Sequence, residues 1–119
     1  MNYDLEDRTK NLAVDIIQLL RTVKTTDLNK NIVAQLLKSG TSVGANYREA
    51  NGAVSRSDFR NKIYICKKEI KETCFWLEML AEASPEAKIK LRPIWSRAHE
   101  LTLIFNKISL SLNKEKDVA

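Results

Sequence analysis

Three glycines and two prolines in 119 residues are too few for the turn-rich connections of a sandwich or barrel, and aromatic residues are sparse. Histidine occurs once, at His99, and Ser96 rather than Glu stands three residues before it, so the Glu-x-x-His pairs of a carboxylate di-iron bundle are missing and neither a metal nor a cofactor is expected. Cysteine occurs twice. Cys66 and Cys74 lack CxxC spacing and would lie about 12 Å apart by helical rise, too far for a disulfide, so both are expected as reduced thiols, inert where buried. No run approaches the roughly 18 uncharged apolar residues of a membrane span, and the opening MNYDLEDRTK carries acids where a secretory signal is basic. A soluble cytoplasmic protein is the expectation. Phosphate-binding loops and catalytic triad spacings are also absent, and His99 beside Glu100 has no nucleophile placed for it, so an enzyme is not expected.

What is present is helical periodicity over Leu, Ile, Ala, Lys and Glu, with a length suited to one domain, 1–119. A first helix is predicted over about 4–23 from Leu5, Leu12, Ile16, Leu19 and Val23, with Asp4, Glu6 and Asp7 at its positive end. Thr25, Thr26 and Asp27 supply turn chemistry before a second helix over about 28–50, whose stripe is Leu28, Ile32, Leu36, Val43 and Tyr47. Asn51 and Gly52 stop it. Ser55 followed by Asp58 has capping-box spacing and opens a third helix, about 56–82, in which Phe59, Ile63, Cys66, Ile70, Thr73, Leu77 and Leu80 form the cleanest heptad of the chain. Ser84 before Pro85 caps a fourth, about 85–112, with Ile94, Ala98, Leu101, Phe105, Ile108 and Leu112 as its seam. Pro93 is expected to kink this helix or restart it, and the residues from Asn113 to Ala119 are expected to fray. Four such helices joined by short turns predict an antiparallel up-down-up-down four-helix bundle.

The stretch Leu36–Phe59 breaks this regularity. Gly40 and Gly44 stand in helical register, where each costs about 1 kcal/mol relative to alanine, and close approach of another backbone, within or between subunits, is the offset. Asn46 and Glu49 on the same helix are read as polar contacts that fix register against the third helix, with Thr73 or Lys68 as partners. Tyr64, Phe75 and Trp76 fall outside the third helix's main seam and suggest subunit contacts, or for Trp76 a cover over the fourth helix.

The net charge of +5 is unevenly spread, since Arg48–Lys71 holds seven basic and three acidic residues. Arg56, Arg60, Tyr64, Lys67, Lys71 and Phe75 share one face of the third helix, with Arg48 placed to join from across the turn. Cations on a rigid helix pair with phosphates, and rings between them stack on unpaired bases; the bland alternative is a solvated face. An RNA-binding role follows as the leading expectation.

The run SGTSVGANYREANGAVSRSDF, with ETCFWLEML after it, resembles the signature of the 23S rRNA intervening-sequence proteins, some of which carry ribosomal-protein names. The matching positions are Ser42, Val43, Gly44, Ala45, Asn46, Glu49, Gly52, Ser55, Asp58 and Phe59, with Glu72 further on; Gly40 stands where alanine is common, and Ala50 where glycine often follows the acid. The resemblance implies a four-helix bundle assembled as a homopentameric ring, and it extends to the Avd accessory proteins of diversity-generating retroelements, basic bundles that work with a reverse transcriptase and its RNA. It supplies no catalytic residue. The rival expectation is therefore an adaptor ring for a partner enzyme such as a reverse transcriptase, without direct RNA binding.

Overall fold

A computed structural model of the chain describes the backbone of residues 4–118 and the side chains of residues 4–114. Among these residues there are four α-helices and no strand: α1 Leu5–Thr22, α2 Lys30–Asn51, α3 Arg56–Ala83 and α4 Lys88–Val118, with a 3-10 turn over Pro85–Ala87. They pack as an elongated bundle, 50 × 22 × 21 Å, in which α2 lies against α1 and α3, and α4 against α3 and α1.

The predicted stripes make the core. On α3, Ile63, Cys66, Ile70, Thr73, Leu77 and Leu80 are all buried, and Phe59 packs against them at the helix start. Leu5, Leu12, Ile16 and Leu19 of α1, Leu36 and Val43 of α2, and Ile94, Ala98, Leu101 and Phe105 of α4 complete it. Each such aliphatic or aromatic side chain contributes about 1.5–3 kcal/mol by leaving water. The one polar member of the heptad, Thr73, bonds the Glu69 carbonyl of its own helix at 2.8 Å, so it needs no partner on α2. Burial pushes the Cys66 thiol up to about 12, which keeps it protonated and unreactive at neutral pH; burial raises Cys74 in the same direction.

The two helical glycines meet α1 within the same chain. A Cβ on Gly40 would stand 2.5 Å from Cδ1 of Ile16, and one on Gly44 would touch the backbone of Thr9 at 3.4 Å. Alanine at Gly40 gains about 1 kcal/mol of helix propensity but forces a fully buried isoleucine to move, which costs about 1–3 kcal/mol. Gly40→Ala is therefore expected to lower stability, while Gly40→Ala combined with Ile16→Val, which deletes the clashing methyl, is expected to cost less than the sum of the two single changes. Denaturant titration of the four proteins reads this coupling, and strict additivity would contradict the contact.

Several local expectations are corrected. The second helix begins at Lys30 rather than Leu28, because Asn29 is buried as the hub of the loop: its Oδ1 accepts from the Thr26 amide at 2.8 Å, and its Nδ2 donates to Lys24 O and Ser84 Oγ, both at 2.9 Å. Leu28 is left 72% exposed, outside the stripe. Ser84 thus joins the α1–α2 loop to the α3–α4 turn. The fourth segment starts as a 3-10 turn and becomes α-helical at Lys88, and α4 then runs through Pro93 without restarting. Pro93 is solvent-exposed, so water can reach the carbonyl its ring leaves unbonded. The helix also continues past Asn113 to Val118; Ala119 lies outside the described residues.

Candidate nucleic-acid interface

The α2–α3 turn sets the start of the basic face. Gly52 closes α2, its amide donating to the Arg48 and Glu49 carbonyls at 3.3 and 3.1 Å, and Ser55 Oγ accepts the Asp58 amide at 3.0 Å to open α3. These caps place Arg56 and Arg60 one turn apart at the mouth of an open cleft of about 490 Å³, whose apolar lining includes Ala53, Val54, Phe59 and Leu112 of α4. Arg56 is exposed and Arg60 half-buried, and the Nε of Arg60 is shut from solvent without a hydrogen-bond partner.

Further along α3, Tyr64 is partly exposed and its hydroxyl donates to Asn113 of α4, which holds the ring at the α3–α4 seam. Lys67 is half-buried and Lys71 exposed. Phe75 ends the stripe 49% exposed, with the half-buried Trp76 meeting it edge-on at 5.0 Å. By helical rise the cations from Arg56 to Lys71 extend over about 22 Å. Among the described residues none of Arg56, Arg60, Lys67 and Lys71 has a carboxylate within ion-pair distance, whereas Arg8, Arg48, Lys62 and Arg97 each bridge to an acid on a neighbouring helix.

Arg48 does not join this face. It meets Glu6 of α1 at 3.5 Å and lines a separate α1–α2 cleft with Lys10, Ala13 and Gly44. The register contact expected of Glu49 exists, but its partner is Lys62 at 3.5 Å, not Thr73 or Lys68. Asn46 makes its bond within α2, donating to the Ser42 carbonyl at 2.8 Å. The reason is position along the helices, since Glu49 lies at the turn end of α2, opposite the first turns of α3. Glu72 is exposed on α3; burial first, and then the charge of Glu72, raise the carboxyl of its neighbour Glu69.

Sequence reading missed a second aromatic cluster at the far end of the α3–α4 seam. Trp95 stacks on His99 at 4.9 Å with planes 5° apart, and its indole N–H donates to Glu78 at 3.1 Å. The helical spacing of Trp95 and His99 was the available signal. Among the described residues no three His, Cys, Asp or Glu side chains converge to hold a metal ion, and no helix is long and apolar enough to cross a membrane.

A comparison with curated proteins finds no match. Among solved structures, the chain is similar to a protein of unknown function from the S23 ribosomal protein family of Bacteroides thetaiotaomicron VPI-5482, with 34% identity, a TM-score of 0.76, and coverage of 88% of this chain and 97% of that one. The family model described as 23S rRNA-intervening sequence protein matches residues 1–86, which takes in α1, α2, the capped turn and the whole basic face of α3. With the four-helix bundle and the Ser42–Phe59 motif in place, the chain belongs to the 23S rRNA-intervening sequence protein family.

Proposed function

We propose that the protein is a non-enzymatic, cytoplasmic bundle that binds RNA through the α3 face, with phosphates on Arg56, Arg60, Lys67 and Lys71 and bases against Tyr64 and Phe75. The observation that carries this reading is a line of α3 cations with no carboxylate partner among the described residues, interleaved with exposed rings, beside a set of interhelical ion pairs that uses other cations. Unpaired guanidinium and ammonium groups give up little to meet a phosphate, and exposed rings stack on bases without reading sequence. Four phosphate contacts on a single strand predict a slope of about −3 in log affinity against log salt. Fluorescence anisotropy with a labelled single-stranded RNA checks this; no binding at low salt, or binding indifferent to salt, removes the proposal.

The bundle is further proposed to be antiparallel, up-down-up-down, and to assemble as a homopentameric ring. Opposite chain directions are supported by the stepping of contact pairs: Thr9 with Gly44 and Ile16 with Gly40, Val43 with Cys66 and Glu49 with Lys62, and Tyr64 with Asn113 and Glu78 with Trp95. Assembly is supported by large apolar side chains left in water on the outer face of α4, Leu103 at 58% and Leu110 at 56% exposure. Light scattering should give about five times the 13.6 kDa chain mass, and a particle of one chain mass contradicts the ring. The same apolar residues favour a second reading, an adaptor whose partner is another protein.

A further inference from the structure

The cleft at the α2–α3 turn differs from the rest of the basic face in being concave, with polar and apolar side chains together in its lining and two arginines among them. Its lining includes two arginines and, among the described residues, no acid. Arg60 is the notable member: its guanidinium carries a nitrogen that neither solvent nor any described acceptor satisfies. An unpaired charged donor of this kind costs stability, and an apolar side chain would fill the same space at lower cost, so the arginine is not there for the stability of the bundle. Ala53, Val54, Phe59 and Leu112 give it apolar surface that suits a flat ring, and Asn51 and Ser55 beside them add an amide and a hydroxyl. At about 490 Å³ the space is within the usual range for small-molecule sites.

We propose that this cleft is a single-nucleotide site, with the phosphate on Arg60 and Arg56 and the base against Phe59, Val54 and Leu112. It would anchor one nucleotide of an RNA strand that then follows α3. The inference rests on the α3 face being the RNA surface, yet it makes a separate claim, recognition of a nucleotide as a unit.

The experiment uses the full-length chain and a fluorescein-labelled single-stranded RNA, with AMP, inorganic phosphate and adenosine as competitors at matched ionic strength, together with direct titration of AMP. AMP is expected to compete better than phosphate or adenosine. Arg60→Met, and separately Ala53→Trp to fill the cleft, are expected to weaken AMP and RNA roughly tenfold or more. Arg60→Met should melt no lower than wild type, because it removes an unpaired buried donor. Phosphate competing as well as AMP would overturn the nucleotide assignment. So would RNA binding that ignores both cleft variants but falls on Lys67→Gln with Lys71→Gln, a result that leaves the α3 face standing. Binding of AMP without any binding of RNA would sustain the cleft and remove the wider RNA reading. Absence of both removes both.

Discussion

Phe105→Ala is expected to cost about 3–5 kcal/mol and to lower the thermal midpoint by roughly 10–20 °C. Phe105 is fully buried in the middle of α4, where its ring meets Tyr47 of α2 edge-to-face at 6.0 Å, so it bridges two helices that otherwise touch little. Truncation removes both the transfer free energy of the ring and the contacts of the atoms around it, and rigid helices on all sides limit collapse into the cavity. Leu103→Ala, two residues away on the same helix, removes a side chain that is 58% exposed and should change stability by no more than about 0.5 kcal/mol in the monomeric bundle. Chemical denaturation of the two variants measures the contrast. Equal losses would mean that α4 does not present the face described.

Charge reversal on α3 is expected to have a comparably large effect on binding and almost none on folding. Changing Arg56, Arg60, Lys67 and Lys71 together to Glu replaces four attractions by four repulsions, so RNA affinity should fall by well over a hundredfold at low salt. None of the four takes part in an ion pair among the described residues, so helicity and midpoint should stay close to wild type. Arg97→Glu is the contrasting control. Arg97 donates to Asp15 at 2.7 Å across the α1–α4 seam, so reversal there should destabilise the bundle modestly and leave RNA binding nearly unchanged. Circular dichroism and anisotropy on the same samples separate the two effects. Binding retained by the α3 quadruple variant would show that the cations of this face are not the ones RNA meets.

Much of this molecule follows from periodicity. The α3 heptad is legible because 28 residues without a breaker repeat the same step, and each position from Ile63 to Leu80 then falls in the core. Gly40 and Gly44 announce close packing for a similar reason, since nothing else offsets two helical glycines. That their neighbours are Ile16 and Thr9 could not be read, because periodicity says which face is buried and not what covers it. The Asn29–Ser84 bond spans 55 residues of sequence and has no local signature, so Leu28 looked like part of a stripe that in fact begins later. Arg48 shows the same limit at the candidate site. It lies eight residues before Arg56 and shares its charge, but the turn between them directs it towards Glu6, on another side of the bundle.

The most direct test of RNA binding on the α3 face is ultraviolet cross-linking of the wild-type protein to a uridine-rich single-stranded RNA, followed by peptide mapping. Adducts are predicted on Tyr64 and Phe75, the rings interleaved with the unpaired cations, and they should disappear as salt is raised. Adducts confined to α1 or to the Arg48 cleft, or none at all at low salt, would contradict the account.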